Sequence, residues 1–211
     1  MLVDLSLWSA DLTAPGAAVR RFDPHVNSFH FDVADGHFVP SLLFFPDLVR
    51  QLRPLAAKPF HVHLMTEKPE VWVEPFVEAG ADIITVHAEA APERALELIA
   101  RSGKRAGLAM RLETPLEAAA AILDRFDVDS ALLLGTPAGV KGCGLGPDAL
   151  HRLRAFKADY PFLTVFADGA IRRESVSLLA QAGAGAIVPG SLVFGATDPE
   201  ALIRELQELG A

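Results

Sequence analysis

Short apolar runs alternate with longer segments of helical periodicity along the whole chain of 211 residues. Eight runs are nearly continuous in hydrophobic character, as buried strands of a helix-covered parallel sheet require. They are the segments LVDLSL, SFHFDV, FHVHLM, IITVHA, RAGLAM, SALLLG, FLTVFA and AIVPGS. The alternation predicts eight strand–helix units.

The segments between these runs carry the start and stop signals of helices. They are APGAAVRRF, PDLVRQLRPL, PEVWVEPFVEAG, PERALELIARSG, PLEAAAAILDRF, PDALHRLRAFKA, RESVSLLAQAG and DPEALIRELQELG. Proline is favoured in the first helical turn, and glycine is favoured just past the last one. The prolines that fit are Pro46, Pro69, Pro92, Pro115, Pro147 and Pro199. The glycines that fit are Gly80, Gly103, Gly183 and Gly210.

Eight such units predict an α/β fold, a (β/α)8 TIM barrel, in a single domain spanning residues 1–211. An open, doubly wound sheet is the alternative architecture. Eight units are many for such a sheet, and no G-x-G-x-x-G motif opens the first helix. No linker, low-complexity segment or charge block divides the chain.

The composition limits the kinds of partner and the cellular location that we expect for the protein. A net charge of −8 and a pI near 5.3 argue against a nucleic-acid surface. No apolar stretch approaches the roughly 20 residues that span a bilayer, and the first run lacks the basic flank of a signal peptide. The single cysteine, Cys143, fits a reducing compartment. We therefore expect a cytoplasmic protein without membrane or nucleic-acid partners. Apolar helix faces such as residues 71–76 favour a homo-oligomer.

Polar residues stand where the predicted strands end, which is where barrels of this kind carry their chemistry. They include Ser6, Ser9, His30, Asp32, His63, His87, Asp168, Gly190 and Ser191. Taken singly, each has a structural interpretation: Asp32 and Asp168 suit turns, His87 suits a hydrogen-bonded core position, and Glu89 suits a solvated surface. One of His61 and His63 is expected to face the barrel interior and the other the helices.

The joint pattern predicts a metal site. His30, Asp32, His63 and Asp168 come from three different strands but end at one rim. Two imidazoles and two carboxylates suit a divalent cation such as Zn, Fe or Mn. Two carboxylates from well-separated strands also suit proton removal from one face of a flat intermediate and proton return to the other face.

Small residues late in the chain predict a phosphate site. Gly169 and Ala170 follow the seventh strand, and Gly190 and Ser191 follow the eighth, where barrels commonly hold phosphate on backbone N–H groups. The glycine-rich loop 135–147 is long for a strand–helix connection and suits a lid over a phosphorylated substrate.

Several motifs resemble those of the ribulose-5-phosphate 3-epimerase family. LSLWSADL resembles its S-x-x-S-A-D opening, and FHFDVADGHFVP resembles its H-x-D-x-x-D-G-x-x-V-P segment closely. VHLM, FADGA and AGAGAIVPGSLVF match further landmarks in the same order. The resemblance covers essentially the whole chain. It implies a (β/α)8 barrel with one divalent metal ion (Zn, Fe, Mn or Co) that interconverts D-ribulose 5-phosphate and D-xylulose 5-phosphate through an enediolate.

The resemblance also implies a role for individual residues. The implied metal ligands are His30, Asp32, His63 and Asp168, and Asp32 and Asp168 are also the implied acid/base pair at C3. Substrate contacts fall to Ser6, His63 and Met65. The implied phosphate-binding residues are Gly139, Val140, Lys141, Gly142, Gly169, Ala170, Gly190 and Ser191.

The chain departs from the family in its lid and cavity wall. The lid usually resembles P-G-F-G-G-Q, whereas residues 138–143 are AGVKGC; Ala170 replaces a glycine, and Ala34 and Leu134 replace methionines. We therefore expect the reaction type to persist with an open choice of ketose phosphate, a hexulose 6-phosphate such as allulose 6-phosphate being the alternative. A related decarboxylase is disfavoured because its D-x-K-x-x-D pattern has no lysine here, and a catalytically inactive phosphate-binding protein is the remaining alternative.

Overall fold

The apolar runs form parallel strands that pair around a closed barrel. The computed structural model describes residues 1–209. The strands are β1 (Leu2–Ser6), β2 (Ser28–Asp35), β3 (Leu42–Leu43), β4 (Phe60–Met65), β5 (Ile83–His87), β6 (Arg105–Met110), β7 (Ser130–Leu134), β8 (Thr164–Asp168) and β9 (Ala186–Val188). They are ordered β1-β9-β8-β7-β6-β5-β4-β2-β3, and pairing of β1 with β2 closes the ring. The predicted (β/α)8 barrel is confirmed.

Helices follow the strands and cover the outside of the barrel. They are α1 (Pro15–Phe22), α2 (Pro46–Leu52), α3 (Glu70–Glu78), α4 (Glu93–Arg101), α5 (Leu116–Leu123), α6 (Ala149–Asp159), α7 (Arg173–Gln181), α8 (Ser191–Phe194) and α9 (Pro199–Glu208). Within residues 1–209, none has both the length and the hydrophobicity to cross a membrane. Val71, on the predicted apolar face, is 55% exposed, and the homo-oligomer and the cytoplasmic location stay predictions.

The prolines and glycines predicted at helix ends mark most of the observed boundaries, with local exceptions. Gly80, Gly103 and Gly183 each follow a helix with φ between 70° and 105°, whereas the predicted end at Gly210 lies outside the described residues. Pro147 was a wrong start, since α6 begins two residues later, after Asp148. The seventh barrel strand also begins later than predicted, and Phe162, expected in it, is fully exposed in the preceding turn.

The antiparallel strand β3 was not predicted from the sequence. Its two residues pair with Ala34 and Asp35 at the end of β2. The short strand folds the chain back beside the rim of the barrel before α2 begins.

The interior of the barrel is divided into an apolar half and a polar half. One side, mainly from β6 to β9, is filled by apolar residues: Ala109, Leu132, Leu134, Phe166, Ala186 and Val188. Strands β1, β2, β4 and β5 contribute buried polar residues: Asp4, Ser28, His30, Asp32, His61, His63, Thr85 and His87. The other face of every strand packs on the helices. The polar half positions the site described below.

Gly107 leaves room for the polar half, and we predict that Gly107→Ala destabilises the barrel. A Cβ at this position would lie 2.1 Å from Oγ1 of Thr85. Thr85 is fully buried and its hydroxyl is 2.7 Å from Nε2 of His61. We expect the free energy of unfolding to fall by about 1–3 kcal/mol, as for other overpacked cores, measured by urea denaturation.

Gly144→Ala is the matched control because a Cβ there would meet nothing within 4 Å. It should leave the stability nearly unchanged or raise it slightly. Equal stability of the two variants would contradict the packing argument.

Candidate functional site

A cavity of about 400 Å³ opens at the carboxyl ends of the barrel strands. The lining includes twelve of the fourteen residues predicted for the site: Ser6, Asp32, Met65, Gly139, Val140, Lys141, Gly142, Asp168, Gly169, Ala170, Gly190 and Ser191. The other two, His30 and His63, are fully buried behind the lining. Trp8, Ser9, Thr136 and Arg172 also line the cavity. The sequence placed Ser9 at the rim and Thr136 in the glycine-rich loop, but no role was predicted for any of the four.

Four of the predicted residues converge at the floor of this cavity. His30, Asp32, His63 and Asp168 each offer one ligand atom, and all these atoms lie within 4.8 Å of one another. The strand register brings them together: Asp32 is opposite His63 in the pairing of β2 with β4, and Ser6 is opposite His30 in the pairing of β1 with β2. This is the composition and spacing of a site for one divalent cation.

His30 gives the clearest evidence that the cluster suits a cation. Its Nδ1 donates to Oδ2 of Asp4 at 2.8 Å. Its Nε2 is buried, has no hydrogen-bond partner in the described structure, and lies 3.2 Å from Oδ1 of Asp32. Burial lowers the pKa of His30, but the charges of Asp32 and Asp4 outweigh burial and raise the pKa well above its ordinary value. The negative potential that stabilises a proton on this buried nitrogen would also stabilise a metal cation there.

Asp4 anchors the polar half of the barrel, although sequence reasoning missed it. It is fully buried. Its Oδ2 also lies 2.6 Å from Nδ1 of His61, and its Oδ1 accepts a hydrogen bond from Oγ of Ser28 at 2.6 Å. Asp4, His30 and His61 thus form a second compact cluster, but its short contacts are hydrogen bonds that already use the ligand atoms. The expectation that His61 and His63 face opposite ways was wrong, since residues two apart on a strand share a face.

His87 and Glu89 form a third carboxylate–imidazole contact behind His63. Nδ1 of His87 is 2.9 Å from Oε2 of Glu89, and Nε2 of His87 is 2.9 Å from Nε2 of His63. Glu89 is exposed as a residue, as expected, but its side chain is only 20% exposed. Its Oε1 accepts from the backbone N–H of Arg111 at 2.8 Å and from the hydroxyl of Thr114. Burial would raise the pKa of Glu89, but these hydrogen bonds lower it to about 2.

The two cavity carboxylates are biased towards opposite protonation states. Burial would raise the pKa of Asp32, but the charge of the neighbouring His30 holds it well below its usual range. Ser6 also donates to Oδ2 of Asp32 at 2.8 Å. Burial and then the negative charge of Asp32 raise the pKa of Asp168 above its ordinary value. A pair of this kind offers a base and an acid at the same pH.

Small residues and two cationic side chains, Lys141 and Arg172, also line the cavity. Gly169 has φ +90°, and a Cβ there would lie 2.2 Å from Oγ1 of Thr136. Ala170 next to it adopts φ +53°, a conformation that favours glycine. Nη1 of Arg172 donates to Oγ of Ser191 at 3.2 Å. No sequence pattern indicates Arg172, because it lies between the predicted turn and the start of α7 at Arg173.

The glycine-rich loop closes one side of the cavity. Nζ of Lys141 donates to the backbone oxygen of Trp8 at 2.6 Å and lies 4.5 Å from the centre of its ring. Oγ of Ser41 donates to the backbone oxygen of Gly139 at 2.9 Å. The loop is therefore joined to the rim at two places.

Known proteins resemble this chain in sequence and in fold. Residues 2–194 match the model of the ribulose-phosphate 3 epimerase family. The chain is 35% identical over 210 residues to the ribulose-phosphate 3-epimerase of Bacillus subtilis, with 96% of each chain covered. It is 36% identical over 215 residues to the ribulose-phosphate 3-epimerase of Mycobacterium bovis, with 98% of this chain and 91% of the relative covered.

A solved structure supports the fold independently. The 3-keto-L-gulonate-6-phosphate decarboxylase of Vibrio cholerae superposes with a TM-score of 0.73 over 98% of this chain and 97% of that chain, at 20% identity. This likeness concerns the barrel alone. The family match and the two relatives, which span nearly the whole chain, go further: the chain belongs to the ribulose-phosphate 3 epimerase family, a family of isomerases that act on sugar phosphates.

Proposed function

We propose that this protein interconverts D-ribulose 5-phosphate and D-xylulose 5-phosphate by moving a proton at C3. The observation that carries the proposal is the placement of Asp32 and Asp168 on the lining of one cavity, with their ligand atoms within 4.8 Å of those of two buried imidazoles. The family relationship supports the same substrate pair.

The four clustered residues would hold one divalent cation. The donor set of two imidazole nitrogens and two carboxylates suits Zn, Fe, Mn or Co, and the unpartnered Nε2 of His30 supports this assignment. When bound, the cation would act as a Lewis acid that stabilises negative charge on the substrate oxygens as the C3 proton leaves.

The two carboxylates would exchange protons with opposite faces of the substrate. Asp32, ionised and held by Ser6, would take the C3 proton of one epimer and leave a planar enediolate. Asp168, whose raised pKa favours the protonated form, would deliver its proton to the other face and invert C3. The reverse reaction would use Asp168 as the base and Asp32 as the acid.

The phosphate would lie against the loops that follow β8 and β9. Gly169, Ala170, Gly190 and Ser191 line the cavity there without bulky side chains, so that backbone N–H groups can approach a phosphate closely. Lys141 and Arg172 would add positive charge there in a protein that is otherwise acidic.

A hexulose 6-phosphate is the second candidate substrate. The observation that favours it is the altered wall: Leu134, Ala138 and Cys143 line the cavity at positions that differ from the family pattern. The experiments below therefore include a pentulose and a hexulose phosphate.

We predict that a divalent cation stabilises the protein through His63. Chelator-treated protein should show a higher melting temperature when Zn²⁺, Mn²⁺ or Co²⁺ is added, by an amount equivalent to about 2.7 kcal/mol at one hundred times the dissociation constant. His63→Ala should lose most of this shift, whereas His151→Ala, at an exposed position, should keep it. An equal shift in both variants would place the bound cation elsewhere.

We predict that Asp168→Asn lowers kcat for epimerisation by about 10²- to 10⁴-fold, since an amide cannot exchange the proton. Wild-type protein in D₂O should incorporate deuterium at C3 as it converts D-ribulose 5-phosphate, and it should do so faster than with a ketohexose 6-phosphate. Asp127→Asn, at an exposed position, is the control. Conversion by the wild type without deuterium at C3 would rule out the proton-transfer mechanism.

We predict that Lys141→Ala raises KM about 10-fold with a smaller effect on kcat, because a charge-assisted contact contributes about 1.5–3 kcal/mol. Steady-state kinetics compares it with Lys68→Ala, which removes a lysine at an exposed position. An unchanged KM would remove Lys141 from the phosphate site.

A further inference from the structure

Glu89, His87 and His63 form a continuous line of contacts that ends at the cation cluster. Three contacts make up the line: Oε2 of Glu89 to Nδ1 of His87 at 2.9 Å, Nε2 of His87 to Nε2 of His63 at 2.9 Å, and Nδ1 of His63 to Oδ1 of Asp32 at 3.3 Å. Both imidazoles are fully buried. The ring of Phe38 covers His87 with the ring centres 4.7 Å apart.

Two neutral imidazoles supply two N–H protons for these three contacts. A carboxylate only accepts hydrogen bonds, so Nδ1 of His87 must donate to Glu89. Nε2 of His87 then carries a lone pair, and Nε2 of His63 must donate to it. Nδ1 of His63 is left with a lone pair that faces Asp32 across the longest of the three contacts. The contact that lacks a proton is therefore the one between His63 and Asp32, two of the four candidate cation ligands.

We propose that Glu89 and His87 are positioning residues that fix the tautomer of His63, so that its Nδ1 presents a lone pair to a divalent cation. The proposal rests on the proposed function, since it concerns the same cation site. Glu89 and His87 would act through His63, without contacting the substrate or the cation themselves. Partners of this kind, behind a ligating histidine, commonly change metal affinity strongly when they are altered.

The substitution Glu89→Gln should reverse the donor-to-acceptor direction of these hydrogen bonds. The backbone N–H of Arg111 donates to Oε1 of Glu89 and cannot become an acceptor. In Glu89→Gln the amide oxygen must therefore stay at that position, and the amide NH₂ must face Nδ1 of His87. His87 would then carry its proton on Nε2 and donate to His63. The proton of His63 would move to Nδ1, which faces the cation site.

Thr114→Val provides the matched control. It removes the other hydrogen bond to Oε1 of Glu89, but the carboxylate and the proton direction stay the same. A merely structural role for Glu89 would make both variants less stable and leave the cation affinity of the folded protein alike. The tautomer proposal predicts that only the amide variant loses affinity.

The experiment measures the Co²⁺ and Zn²⁺ dissociation constants of chelator-treated full-length protein by competition with a chromophoric chelator. We expect Glu89→Gln to weaken binding about 10- to 100-fold and Thr114→Val to stay within about twofold of the wild type. Nitrogen-15 NMR of the histidine side chains in the metal-free wild type gives a second readout that needs no variant. It should show His63 protonated at Nε2 and bare at Nδ1.

Distinct outcomes separate this proposal from the proposed function. A wild type that binds cations and epimerises, together with an amide variant of unchanged affinity, would overturn the tautomer proposal alone. The same holds if His63 of the metal-free wild type carries its proton on Nδ1. A wild type that neither binds a cation nor epimerises would overturn both.

Discussion

The structure depends on buried imidazoles that each have an acceptor on the side away from the cavity. Half of the barrel interior is polar, and buried polar groups destabilise a protein unless they are hydrogen-bonded. Asp4 meets this demand for His30 and His61, and Glu89 meets it for His87. Each carboxylate accepts a hydrogen bond from one nitrogen of an imidazole. The other nitrogen of that ring is therefore the one that remains for a different partner. The same hydrogen bonds that make the buried polar half stable therefore select the atoms that face the cavity.

The packing of the barrel supports this arrangement. The opposite half of the interior is apolar and contains small residues such as Ala109 and Ala186, which make room for large side chains across the barrel. The ring of Phe166 packs edge-on against His61 with the ring centres 5.1 Å apart. Since a close-packed interior does not deform smoothly, the imidazoles have little freedom to turn. The geometry of the candidate ligands is thus fixed by the core of the fold and not by surface loops.

The sequence predicts the parts of this site that lie where strands end. Asp168 ends β8 and Asp32 lies in the carboxyl-terminal half of β2, and in a barrel such positions meet near one rim, so their convergence follows from topology alone. Asp4 and Glu89 escaped prediction for different physical reasons. Asp4 stands inside the first strand, where neither periodicity nor a motif shows that its partners are His30 of β2 and His61 of β4. Glu89 lies just after a strand, where an acidic residue normally faces solvent, and only the fold shows that three donors surround its carboxylate.

The floor of the cavity and the glycine-rich loop are held in place by different contacts. This separation bears on how substrate preference can change while the barrel stays the same. The glycine-rich loop is hydrogen-bonded to the rim, through Lys141 to Trp8 and through Gly139 to Ser41, whereas the histidines of the candidate cation site are oriented from inside the barrel. Changes in the glycine-rich loop can therefore alter the room and charge around the proposed phosphate site without turning His30 or His63. This explains how the chain keeps the complete set of candidate ligands while its lid departs from the family pattern. On this view a change of preferred sugar phosphate needs no change in the chemistry at C3, because the two properties depend on residues held by different contacts.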